Sequence, residues 1–172
     1  ITIKIKKMSE YELPYFGKLA TENLEEYYVI NFPYKEDFLQ IDLNFDNRII
    51  DIKILDKIKN FIERIDQFDK MNRIQIDKDY SEDGEVKEFV NFHIEEIEEE
   101  LLKLNIISDG ENKETQFLSN MKLVRIGLYP DGKYGSDNFA VFDYTVNQDL
   151  TNQLIVVNTD ENGVFDHISW ES

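Results

Sequence analysis

The chain has 172 residues, 41% of them apolar and 13% aromatic, with 36 acidic side chains against 19 basic ones and a formal charge of −17. A domain of this size removes roughly 70% of its unfolded surface from water, and twelve Phe and nine Tyr exclude an acidic disordered chain, which lacks such residues. The charge repels phosphate and anionic membrane surfaces, so nucleic acid and membrane are excluded as partners and a basic protein is favoured.

Residues 1–7 (Ile-Thr-Ile-Lys-Ile-Lys-Lys) are the one basic stretch. They read either as an extension ahead of a native start at Met8 or as an edge strand alternating Ile and Lys. Residues 11–17 predict a short aromatic strand or turn, limited by Pro14 and Gly17. Strands follow at 26–33 and 37–45 around a polar turn at Tyr34-Lys35-Glu36. The second strand places Leu39, Ile41, Leu43 and Phe45 on one face and Gln40, Asp42 and Asn44 on the other.

The period then changes to that of helices. Ile54, Leu55, Ile58, Phe61, Ile62, Ile65 and Phe68 predict an amphipathic helix over 54–68 with Asp51 as its cap. A second helix is expected over 86–104, with Val86, Phe89, Val90, Ile94, Ile97, Leu101 and Leu104 on its apolar stripe. Residues 72–84 and 105–120 read as polar connections, the latter with one helical turn near Phe117. Period two returns in strands at 122–129, 138–147, 153–159 and 164–170, and Asn162-Gly163 marks a hairpin. The expected fold is a single α+β domain over 1–172. Its antiparallel sheet is formed from the N-terminal strands and a C-terminal β-meander and packs against two central amphipathic helices.

Chemistry-bearing motifs are few. The absence of Cys excludes disulfides and thiolate metal sites and agrees with a reducing, cytoplasmic setting. No apolar run nears the ~18 residues of a membrane span, and no signal-peptide pattern is read. Residues 79–90 open like a calcium-binding EF-hand loop but carry Val90 where the bidentate Glu belongs, so no metal is expected. Asn158–Gly163, a second partial match, reads as a turn. His93, on the apolar stripe, and His167, beside Asp166, lack the orienting partners of a general base, and no nucleophile elbow or phosphate loop is present. No cofactor follows. The densest acidic feature is Glu95-Glu96-Ile97-Glu98-Glu99-Glu100, within a helix whose like charges at i, i+4 repel.

Several segments carry a resemblance: Pro14–Gly17, Val86–Phe89, Val124–Pro130, Ala140–Thr145, Thr151–Val157 and Ile168–Ser172. On these the chain, from about Met8 onward, resembles an uncharacterised bacterial family classed as a domain of unknown function. The resemblance implies a cytoplasmic α+β protein with no established activity and no catalytic residues to carry over. Small acidic proteins of that kind look like the immunity partners of bacterial toxins, an analogy of class.

The leading expectation is a non-catalytic cytoplasmic module that binds a basic partner such as a toxin domain. Its contacts would be Glu95, Glu96, Glu98, Glu99 and Glu100, with Asp131 and Asp137 in an exposed loop. The alternative is a hydrolase or lyase using carboxylates with His93 or His167, which needs a concave pocket holding a His and two carboxylates. A domain with neither partner nor substrate is the third reading.

Overall fold

The computed structural model describes residues 9–172, so the readings of residues 1–7 and of Met8 lie outside the described residues. Strands β1 (Glu10–Leu13) and β2 (Gly17–Ala20) form a small antiparallel hairpin of their own. The segment read as one strand or turn is therefore two strands, turned through Tyr15 at φ 67° and Gly17 at φ 73°. Strands β3 (Tyr27–Tyr34) and β4 (Asp37–Asn44) pair antiparallel, with Ile30 opposite Ile41.

Four helices follow where two were expected. Helix α1 (Ile52–Ile62) starts at Asp51, whose carboxylate accepts the Lys53 N–H at 2.9 Å. It buries Leu55, Ile58, Phe61 and Ile62, then breaks at Glu63–Arg64. Helix α2 (Ile65–Ser81) runs through the segment read as a polar connection. Its buried stripe is Ile65, Phe68, Asp69, Asn72 and Ile76, a helical spacing in which two core positions are polar. Helix α3 (Glu85–Lys103) carries a kink at Ile97, and α4 (Lys113–Asn120) buries Phe117. The residues that resembled a calcium loop end α2 and start α3. There Asp79 Oδ1 accepts the Val86 N–H at 2.7 Å and caps the second helix.

Strands β5 (Lys122–Leu128), β6 (Ala140–Thr145), β7 (Leu154–Thr159) and β8 (Phe165–Glu171) complete a six-stranded sheet of order β3-β4-β5-β6-β7-β8. The N-terminal strands and the C-terminal meander share this sheet, as expected of the α+β class. It is mixed and not wholly antiparallel, because β4 and β5 run parallel with Ile41 beside Ile126. Parallel neighbours need a long crossover, and the four helices supply it.

The helices cover one sheet face. Leu39, Ile41, Leu43, Ile126, Leu128, Phe142, Tyr144, Ile155 and Val157 point into that layer and are buried. Phe61 gathers Phe68, Phe139 and Phe142 at ring-centroid distances of 4.6, 5.4 and 5.8 Å. Asp69, fully buried, ties α2 to strands β3 and β6 and to the turn between β3 and β4. Its carboxylate accepts from Tyr144 Oη at 3.0 Å, Tyr34 Oη at 3.1 Å and Lys35 Nζ at 2.5 Å, with Arg73 Nε at 3.4 Å. Burial, then the nearby carboxylate, pushes both tyrosine hydroxyls upward, so they stay protonated donors.

Candidate functional site

Alternate residues of the same strands face away from the helices. In the middle of this face stands an ionic cluster. Arg125 on β5 makes a two-pronged contact with Asp42 on β4, Nε to Oδ1 at 2.7 Å and Nη2 to Oδ2 at 3.0 Å. Its Nη1 reaches Asp143 Oδ2 on β6 at 3.0 Å, and Tyr129 Oη accepts from Nη2 at 3.2 Å. Asn44 Nδ2 closes the second oxygen of Asp42 at 2.6 Å. Gly127 makes room for this arrangement. A Cβ there would lie 2.7 Å from Arg125 Nη2 and 3.1 Å from the Tyr129 ring. Burial pushes the Asp143 carboxyl up, with Asp42 and Glu171 adding to the rise and Arg125 opposing it. Burial also works against the Arg125 charge, but Asp42, Tyr129 and Asp143 hold it above its ordinary value.

Around the cluster opens a cleft of about 560 Å³, lined among others by Tyr129, Tyr134, Asp137, Asn158, His167 and Glu171. Its wall is the β5–β6 loop, which is pinned at two points. Asp131 accepts the backbone N–H groups of Asp46 and Asn47 at 2.9 and 2.8 Å, and the Asn47 side chain at 3.2 Å. Buried Lys133 donates to the Glu26 carbonyl at 3.1 Å. Directly after the second anchor Tyr134 takes φ 60°, and it is 79% exposed at the cleft mouth.

The residues singled out in the sequence separate. Asp131 is half-buried and spends its carboxylate on the β4–α1 turn, whereas Asp137 is exposed on the cleft rim. Glu98 is half-buried and paired with Lys113 of α4. Glu95, Glu96, Glu99 and Glu100 are exposed on two adjacent turns of α3, and none forms a hydrogen bond or ion pair within the described residues. Asp42, Arg125 and Asp143 were missed. Their signal is present in the sequence as a charged residue in the middle of three successive strands, with opposite signs on neighbouring strands.

The two histidines also part. His167 Nδ1 donates to Asp166 Oδ2 at 2.5 Å, and Nε2 accepts from Asn158 Nδ2 at 3.2 Å. His93 is 1% exposed and caged by Phe89, Phe92 and Phe117. Its Nδ1 donates to the Phe89 carbonyl at 2.7 Å and its Nε2 accepts from Thr151 Oγ1 at 3.0 Å. That tautomer is neutral, and among the described residues no carboxylate bonds to the ring. Burial lowers the His93 pKa, the Phe89 carbonyl opposing. The unfolded chain therefore takes up a proton below about pH 6.5 that the folded chain refuses, so this residue's contribution to stability falls as pH falls through that value. In urea unfolding at pH 7.5 and 5.5, His93→Gln should lose less stability on acidification than the parent. Equal losses would mean the ring titrates alike folded and unfolded.

Among the described residues, no group of three or more His, Asp or Glu is arranged to hold a metal ion, and no helix is long and apolar enough to cross a membrane. No family model matches the chain, and no curated protein and no solved structure matches it either. Only the chain's own side chains bear on its function.

Proposed function

We propose that the protein is a non-catalytic module that docks a basic protein through the C-terminal half of α3. The observation that supports this is the row of exposed glutamates, Glu95, Glu96, Glu99 and Glu100, which have no partner among the described residues. Glu95 and Glu96 precede the kink at Ile97 and Glu99 and Glu100 follow it, so four like charges are gathered on either side of the bend and repel. Glu99 and Glu100 also sit in the last turns of a helix ending at Lys103, where the backbone dipole disfavours anions. The folded protein gains nothing from this row, whereas a cationic partner would be steered and held by it. An immunity-type protein occupying a basic toxin domain in the cytoplasm is the specific form of this reading.

Changing Glu95, Glu96, Glu99 and Glu100 together to Gln should stabilise the isolated protein by about 1 kcal/mol, from removed repulsion. The same variant should lose salt-sensitive, stoichiometric capture of a basic protein from the host lysate. A partner retained at full occupancy by the variant, or no basic partner at low salt, would rule α3 out as the contact.

A second reading, acid–base chemistry at His167, is favoured over one at His93 because the cleft brings His167, Asp143 and Glu171 into one lining. It ranks behind because both His167 nitrogens are engaged, by Asp166 and Asn158.

A further inference from the structure

The cleft on the sheet face away from the helices holds hydrogen-bonding capacity that the described residues leave unused. Asp143 is 5% exposed and gives Oδ2 to Arg125, while no described residue donates to its Oδ1. Asn158 is 8% exposed and gives Nδ2 to His167, while no described residue donates to its side-chain carbonyl oxygen. The pairings Val141 with Asn158 and Asp143 with Val156 make these two residues diagonal neighbours on one sheet face, and both line the cleft. Both oxygens open onto the cleft, where a ligand's donors can take the place of water.

The rest of the lining defines that ligand. Asp137, Asp143 and Glu171 face the cleft against the single guanidinium of Arg125, so a cation is attracted and a phosphate or carboxylate repelled. The rings of Tyr129 and Tyr134 stand edge to face at 6.4 Å; Lys133 Nζ lies over the Tyr134 ring at 5.2 Å, so a second positive charge would meet the ring surface that these contacts leave open. Val141, Leu154 and Val156 form an apolar floor suited to a methylene stem. The pinned β5–β6 loop holds the aromatic wall in place before any ligand arrives, which keeps the ordering cost low. We propose that this cleft binds a guanidinium or ammonium group on an aliphatic stem, its donors on Asp143 Oδ1 and Asn158 Oδ1 and its charge against Tyr129 and Tyr134. The site lies across the sheet from α3 and does not depend on the docking role of that helix.

The test is an NMR titration of the whole protein with three probes: acetyl-Gly-Arg-Gly-amide, agmatine, and the same tripeptide with citrulline, which keeps the shape of arginine without its charge. Saturable shifts of the Asn158 and His167 amides with a guanidinium probe, absent with citrulline, are expected. Tyr134→Gly removes the exposed ring and eases the positive φ, so the fold should stand while binding weakens about tenfold. Asp143→Asn should weaken binding as well. Binding of the tripeptide alone would identify a side chain of another protein as the source, and equal binding of agmatine a free small cation. Equal shifts with citrulline, or no saturable shift up to about 20 mM, would overturn the assignment. The α3 Gln variant, carried alongside, should bind these probes normally, so failure of the cleft and failure of the α3 reading give different results.

Discussion

Asp69→Ala should cost the protein about 3–5 kcal/mol, the range for removing one partner of a buried charge cluster. The residue is fully buried, yet four side chains converge on its carboxylate: Tyr34, Lys35, Arg73 and Tyr144. Alanine strands two hydroxyl donors inside and leaves two cations without their anion. It also opens a void beneath Tyr144, itself fully buried. Against a total stability on the order of 5–15 kcal/mol, the loss approaches the margin of folding. Thermal unfolding should move down by on the order of 10 °C, at about 2–4 °C per kcal/mol for a chain of this size. Asp69→Asn keeps the shape and one acceptor oxygen, so it should cost clearly less than alanine. A loss below about 1 kcal/mol for alanine would show that the phenols and cations find other partners, and that α2 is held by its apolar contacts alone.

Asp69 also explains what the sequence concealed. Strand β4, helix α1 and the β7–β8 turn could be read directly, because in each the apolar period and the turn chemistry agree. Helix α2 could not. Its inward stripe passes through Asp69 and Asn72, so a pattern search that equates core with apolar sees a polar connection. The polar identity of Asp69 comes from Tyr34, Lys35 and Tyr144, residues remote in sequence, whereas Asn72 Nδ2 has no hydrogen-bond partner among the described residues. The parallel pairing of β4 with β5 was hidden for a different reason. It depends on which side of β4 the chain reaches after four helices, and no local period records that. The cleft was hidden by separation: Asp42 and Arg125 lie 83 residues apart, and each alone looks like an ordinary solvent-facing residue of a half-buried strand. The α3 glutamates were legible as a charge run. Sequence could not show that Glu98 is paired with Lys113 while its four neighbours are not.

Arg125→Ala should destabilise the protein by about 3–5 kcal/mol at neutral pH, and the deficit should shrink on acidification. Arg125 stands between two buried carboxylates, Asp42 at 1% exposure and Asp143 at 5%. Without it the two anions face each other from adjacent parts of the sheet with no cation between them. The direction of the pH effect follows from Asp143, whose carboxyl already sits above its ordinary value through burial and rises further once the guanidinium is gone. A group raised in the folded state stabilises fully below its unfolded pKa, near 3.9, and loses that contribution as pH rises through its folded value. The variant should therefore unfold at lower urea than the parent at pH 7.5, with the gap narrowing toward pH 4.5. Adding Asp143→Asn to Arg125→Ala removes one of the stranded charges, so the double variant should recover part of the loss at pH 7.5 and show a flatter pH response. A deficit of the same size at both pH values, unchanged in the double variant, would mean that Arg125 acts by filling space between Gly127 and Tyr129 and not by its charge. The outcome also bears on the cleft. Only if Asp143 is ionised at neutral pH, with Arg125 in place to keep it so, does its free oxygen stand ready for a second cation.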